Sequence, residues 1–384
     1  MAALIPLTNT PRDYAWGTID GVARTLGWAP TGGPEAELWL GAHPLSPSEP
    51  AASAEATGWH DLAAWEQRSG AALPYLLKLL SAASPLSLQA HPTPSQAAEG
   101  FAREEAAGIP LTARERNYKD PNAKPELIVA VDDGFEALCG FRPIDDTLAL
   151  IDALAQASDD PAPLQVWRDA AAAGVRDGFV WLLSGAPEVD AAVVAATATA
   201  AAHPDDFELI ARLAGEYPGD PGILVAQTLN HVTLAAGESL WLPAGNIHAY
   251  LRGTGVELMG PSDNVLRGGL TPKHVDRDEL QKVLDFTPGP ASHLKPVAVS
   301  ENVVSYRPAS VPSGAGVDFE LLLVTGDAAV TTGSAAIALA VEGTFTLSTD
   351  GADAAAARGA IVFVDAPAAV RVTGAGRLFI ATGV

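Results

Sequence analysis

At 384 residues, 48% hydrophobic and 18% charged, the chain is long and apolar enough for a large core divided over two or three domains. Its net charge of −23 argues against nonspecific binding to nucleic acid or to an anionic membrane surface, which both require a basic face. A single cysteine, Cys139, excludes an intramolecular disulfide and a cysteine-built zinc cluster. With neither a basic-then-apolar leader over 1–17 nor an apolar run of bilayer length, a soluble cytoplasmic protein is expected, acting as a monomer.

In chain order, 86–91 alternates and then turns at Pro92, and 126–131 is a compact β-branched run; both read as strands. Between them 94–108 reads as a helix, with Ser95 at the N-cap and Gly108 as the stop. From 145 to about 217, Leu148, Ile151, Leu154, Val166, Ala170, Phe179, Leu182, Ile210 and Leu213 recur at helical spacing. Strands return at 223–227, 239–242 and 256–259. They continue at 319–324, 336–341, 344–348, 360–364 and 378–381, separated by Gly, Asp and Pro turns. The fold class is mainly β with a helical insertion. A catalytic β-barrel spans 1–143 with 218–290, the insertion is 144–217, and a smaller jelly-roll-like domain is 291–384.

Two clusters carry the chemistry. In Ser87-Leu88-Gln89-Ala90-His91-Pro92, residues 89 and 91 share one face of a strand and can address one ion together. In the run from Gly237 through Pro243-Ala244-Gly245 to His248, the Gly, Pro, Gly and His spacing resembles the second motif of the cupin superfamily, where a strand and tight turn present a histidine inside a barrel. Glu126, opening a strand after Lys124-Pro125, supplies a carboxylate. Gln89, His91, Glu126 and His248 form an N/O donor set suited to one zinc ion, and manganese, cobalt or iron would also fit. Alone, a Gln-X-His pair is commonly a hydrogen-bonded structural pair and Glu126 a strand-edge carboxylate. His248 stands apart because of its Gly/Pro frame.

The chain resembles type I mannose-6-phosphate isomerases. The motifs are Tyr14-Ala15-Trp16-Gly17, Glu37-Leu38-Trp39-Leu40-Gly41-Ala42-His43-Pro44, Pro74-Tyr75-Leu76-Leu77-Lys78 and the Gln89/His91 run. Lys124-Pro125-Glu126, Leu138-Cys139-Gly140-Phe141-Arg142-Pro143, His248-Ala249-Tyr250-Leu251 and Ser262-Asp263-Asn264-Val265-Leu266-Arg267-Gly268-Gly269-Leu270-Thr271-Pro272-Lys273 complete the series. The resemblance implies cupin barrels, one zinc on the same four residues, and interconversion of mannose 6-phosphate and fructose 6-phosphate through a cis-enediol. It further implies Arg267 as the electrostatic or acid partner, Lys124 as a base candidate and Asp263 near the reaction. Ser87, Lys78, Lys273 and Arg267 are nominated for the phosphate, and Trp16, Glu37 and Tyr250 for the pocket wall. One departure is Ala123, where many members carry a histidine. Two alternatives stay open: a non-catalytic metal-containing cupin that binds sugar phosphates, and an isomerase of unphosphorylated aldoses.

Overall fold

The computed structural model describes residues 2–53 and 57–384. The first part of the chain contributes β1 (Leu4–Thr8), β2 (Glu37–Leu40), β3 (Glu49–Pro50), β4 (Leu76–Ala82), β5 (Leu88–Ala90), β6 (Glu126–Ala130) and β7 (Phe135–Phe141). After a run of helices come β8 (Leu229–Leu234), β9 (Ser239–Leu242), β10 (His248–Met259) and β11 (Leu266–Gly269). The C-terminal part adds β12 (Val297–Ser300), β13 (Val303–Tyr306), β14 (Phe319–Val324), β15 (Ala328–Thr331), β16 (Ala336–Thr349), β17 (Ala352–Ala357), β18 (Ile361–Val364) and β19 (Ala369–Gly383).

Among the described residues the strands form two antiparallel sheets in the manner of cupins. One has nine strands and is organised around β10; the other has ten and is organised around β16 and β19. The long strand β10 pairs with β5 and β7 near His248 and with β4 and β6 nearer Met259, so it joins both walls of one barrel. β1 does not join this barrel, although it lies in the segment assigned to it above: it pairs with β18 in the ten-stranded sheet.

The period-two alternation of the strands explains the layers. Leu88 and Ala90 of β5, Ala249 and Leu251 of β10 and Leu266 of β11 face outward into one apolar cluster with Leu154, Trp167, Phe179, Val193 and Leu213 of the helices. Those helices run Ile144–Ala157, Ala162–Ala172, Val175–Leu182, Pro187–Ala202 and Glu208–Glu216. On another side of the barrel, Leu77, Leu79, Leu127, Val129, Val256 and Leu258 pack against Leu321, Ile337, Leu339, Phe363 and Phe379 of the ten-stranded sheet. The barrel is thus buttressed by helices and by the second sheet, while the residues between these outward ones point inside.

Three local expectations are corrected. Residues 223–227 are not a strand: Gly222–Ala226 is a short helix with Pro221 at its N-cap, and Asp220 Oδ1 just before it accepts from Gly222 N–H at 2.7 Å. All five of its residues are buried, and a fully buried run carries no periodicity to tell helix from strand. The N-cap of the helix Pro94–Ala106 is Thr93, not Ser95; Thr93 and Gln96 form a reciprocal capping box. The strands read at 336–341 and 344–348 are one, β16, bulged between Ala340 and Glu342, with Gly343 at φ 79° absorbing the bend.

Candidate active site

The inward positions of the barrel gather the chemistry. In the register of β5 against its neighbours, Gln89 lies opposite His248 on one side and Arg267 on the other. His91 follows Gln89 on the same face. Its carbonyl accepts from Gly245 N–H at 2.9 Å. Gly245 has φ 81°, and a Cβ there would press on Val283 O at 3.0 Å, so this turn demands glycine. That turn delivers His248 to the site.

Donor atoms of His91, Glu126 and His248 lie within 4.8 Å of one another, all three residues buried. His91 Nε2 is 3.2 Å from Glu126 Oε1, and His248 Nε2 is 3.0 Å from Glu126 Oε2. The opposite ring nitrogens are already committed: His91 Nδ1 donates to Asn264 O at 2.7 Å and His248 Nδ1 to Asn246 O at 3.0 Å. A carbonyl can only accept, so Nδ1 holds the proton and Nε2 of the neutral ring presents a lone pair. Burial pushes the His91 pKa down to about 4, which keeps that ring neutral. Each lone pair therefore faces a carboxylate oxygen, acceptor against acceptor, and among the described residues both Nε2 atoms and Glu126 Oε2 lack a hydrogen-bond partner. Left so, each buried atom would cost about 1–3 kcal/mol. A divalent cation between them removes the conflict, and this donor set fits zinc. Burial alone would raise the Glu126 pKa, but Lys124, with Nζ 3.0 Å from Oε1, holds it well below the ordinary carboxylate range.

Gln89 and Glu126 belong to the wall of a cavity of about 260 Å³, together with Glu37, Lys78, Lys124, Tyr250, Asp263 and Arg267. His91 and His248 sit immediately behind that wall, each 1% exposed. Four carboxylates and three cations line the cavity, so a bound divalent ion would turn its net charge positive and suit an anionic ligand despite the chain's overall −23. Arg267 is partly buried, which lowers its pKa, and among the described residues it has no hydrogen-bond or ion-pair partner. Lys273 is exposed; burial of part of its stem and then the nearby Arg267 charge lower its pKa. The two cations are neighbours, although only Arg267 lines the cavity.

Lys78 is placed differently. Its Nζ is 3.3 Å from Glu37 Oε1 and 3.3 Å from Glu257 Oε2, and 5.0 Å from the Trp39 ring centre. Burial pulls its pKa down, but these two carboxylates and Glu126 outweigh it and the net direction is up. Its charge is satisfied inside the wall by these two carboxylates. Trp16 does not line the cavity; it stacks at 5.8 Å on Tyr14, which does. Ser87 is half-buried just before β5 and is also absent from the lining.

Sequence reasoning missed Glu257, Trp39 and Asn264. Glu257 accepts from Tyr250 OH at 3.0 Å, and Trp39 Nε1 donates to Glu37 Oε2 at 2.8 Å. Asn264, fully buried, ties the 119–122 loop to the site: its Oδ1 accepts from Lys119 N–H at 2.7 Å and its Nδ2 donates to Asn122 O at 2.8 Å. The signal for Glu257 was present: a lone carboxylate in an apolar strand needs a buried partner.

A buried His-Glu-His centre beside a polar cavity, inside a cupin-type β-barrel, defines the class: a cupin metalloprotein. Comparison with known proteins narrows it. Residues 4–144 match the family "Phosphomannose isomerase type I, catalytic domain". The mannose-6-phosphate isomerase of Salmonella typhimurium is 36% identical, over 97% of this chain and 97% of its own. Those of Escherichia coli, at 36% with 89% of each chain covered, and Bos taurus, at 31% with 94% and 93% covered, are similar too. A crystal structure of mannose 6-phosphate isomerase bound with zinc and yttrium superposes over the full length of both chains, with a TM-score of 0.84 and 34% identity. The chain belongs to the type I mannose-6-phosphate isomerase family.

Proposed function

We propose that this chain is a zinc-dependent aldose–ketose isomerase interconverting mannose 6-phosphate and fructose 6-phosphate. The observation that carries the proposal is the convergence of two imidazole lone pairs on one carboxylate, beside a cavity whose Arg267 has no internal partner among the described residues. Gln89, His91, Glu126 and His248 would hold the metal, which supplies Lewis-acid polarisation of substrate oxygen.

The remaining work falls to side chains of the wall. Arg267 and Lys273 take the anionic end of the substrate, and Arg267 stabilises negative charge as the cis-enediol forms. Lys124 and Asp263 both line the cavity and are the groups that handle protons on the sugar. Glu37, Lys78, Glu257 and Tyr250 form a locked polar wall that orients hydroxyl groups without losing its own hydrogen bonds. Ser87 and Trp16 act through the elements beside the cavity. Among the described residues no single helix is long and apolar enough to cross a membrane, and we take the chain to act as a cytoplasmic monomer.

The decisive experiment strips the protein of metal with a chelator, assays aldose–ketose interconversion, and adds back zinc, manganese, cobalt and iron singly. Activity should vanish and return with zinc. Full turnover by metal-free protein would overturn the proposal. A rate with mannose equal to that with mannose 6-phosphate would remove the anion site from it.

A further inference from the structure

Asp263 stands at a junction. It lines the substrate cavity beside Arg267 and Lys124, and it also lines a second cavity of about 520 Å³ walled by His43, Glu66, Gln67 and Lys119. Its backbone is fixed, with N–H donating to Asp120 Oδ2 at 2.9 Å. Its side chain is 43% exposed, so packing alone does not decide which cavity the carboxylate serves.

One ring decides it. His43 Nε2 lies 3.2 Å from Asp263 Oδ2. The imidazole is itself held edge-on to Trp39, ring centres 4.7 Å apart at 83°, and its Nδ1 accepts the Leu45 N–H at 3.2 Å. A nitrogen that accepts carries no proton, so the hydrogen of the neutral ring sits on Nε2 and faces the carboxylate. The contact with His43, working against burial, keeps the Asp263 carboxyl below its ordinary range.

Resting on the reading of Asp263 as a catalytic residue, we propose that His43 is its positioning residue. The Nε2–H pins Asp263 Oδ2 at the wall shared by the two cavities, which leaves Oδ1 to take the proton of a sugar hydroxyl in the substrate cavity. The wall between the two cavities is then part of the reaction machinery, although His43 itself touches no substrate.

The test measures kcat and KM for mannose 6-phosphate with zinc-loaded wild type, Asp263→Asn, His43→Ala, the double variant, His43→Gln and His43→Asn. Asp263→Asn should lower kcat about 100-fold, as expected for a lost proton-handling group. His43→Ala should lower kcat about tenfold, with KM changed by less than about twofold, because binding contacts remain. The double variant should be no slower than Asp263→Asn, since the two act as one unit. His43→Gln places an amide N–H near the Nε2 position and should restore most of the loss; His43→Asn, whose amide ends nearer Nδ1, should not. Multiplicative losses in the double variant, equal losses in the Gln and Ala variants, or unchanged kcat in His43→Ala beside an impaired Asp263→Asn would each overturn the role of His43. Full turnover in Asp263→Asn would overturn the catalytic reading of Asp263 and this inference with it.

Discussion

The two β-barrels use one architecture and fill it differently. Inside the C-terminal barrel, the inward residues are Ala336, Ala338 and Ala340 of β16, Leu322 and Val324 of β14, Val362 and Val364 of β18, and Leu378 and Ile380 of β19. In the catalytic barrel, Ile128, Ala130, Phe135 and Leu240 close one end in the same way. Towards the cavity, the inward positions pass instead to Lys78, Gln89, Glu126, Tyr250 and Glu257. An apolar interior stabilises for its own sake; a polar interior is tolerated only when a ligand or a complete network satisfies it. One barrel is scaffold, and the other is a site cut into scaffold.

The sharpest way to break this comparison is to injure each barrel at its centre. Glu126→Ala should bring bound metal to zero and turnover below detection, while the denaturant midpoint of the metal-free protein moves little. Phe345→Ala, in the other core, should cost about 3–5 kcal/mol of stability and leave metal content and turnover per folded molecule unchanged. Metal analysis, steady-state kinetics and urea unfolding on both variants decide it. Metal loss in Phe345→Ala would mean the two barrels are not separable in this way.

Next in size is Arg267→Ala. It removes a cation that no internal group needs, so kcat/KM should fall about 10²–10³-fold while the thermal midpoint holds. A drop in midpoint as large as that of Phe345→Ala would show an internal partner for Arg267.

Lys78→Met tests the opposite kind of cation, one whose work is internal. It leaves Glu37 and Glu257 buried without their shared partner and should cost about 3–5 kcal/mol. Burial already raises the Glu257 pKa against the pull of Lys78. A carboxyl with a raised folded pKa contributes stability below its unfolded pKa and loses it as pH rises through the folded value. Without Lys78 that pKa climbs further, so the variant's urea midpoint should fall more steeply than wild type as pH rises above the carboxylate range. Parallel midpoint curves would argue that Tyr250 alone satisfies Glu257.

The residues gathered at this centre were legible in the sequence because each sits in a rigid local frame: Gln89 and His91 two apart on a strand, Glu126 after a proline, His248 after a Gly/Pro turn. Strands bounded by breakers, such as 239–242 and 319–324, were legible for the same reason. Glu257 and Asn264 were not singled out because their roles depend on partners far along the chain, Lys78 across a strand pair and the 119–122 loop. The pairing of β1 with β18 brings together residues hundreds of positions apart, and no local pattern encodes it. Lys78 shows the limit from the other side. Its presence near the site was readable, whereas the two carboxylates that neutralise it were visible only in three dimensions.

The smallest effect should come from Glu136→Gln, where the catalytic barrel meets the helices. Glu136 of β7 accepts from Arg212 Nη2 of the helix Glu208–Glu216 at 2.6 Å, and Arg252 and His231 also face it. Burial pushes its carboxyl up, but His231, Arg212 and Arg252 outweigh that and bring the pKa from 4.5 down to about 2. A depressed carboxyl contributes stability above its unfolded pKa and loses it as pH falls towards the folded value. Wild type should therefore lose stability between about pH 4.5 and pH 2 in proportion to this group, first as faster amide exchange in the Glu208–Glu216 helix. In Glu136→Gln that helix should exchange faster already at neutral pH, with little further change down to pH 4, and turnover should be untouched. Loss of turnover with intact metal content would mean that the helical block shapes the cavity as well as covering the barrel's back. The division into site and scaffold would then have to be drawn through the interface that Glu136 now holds together.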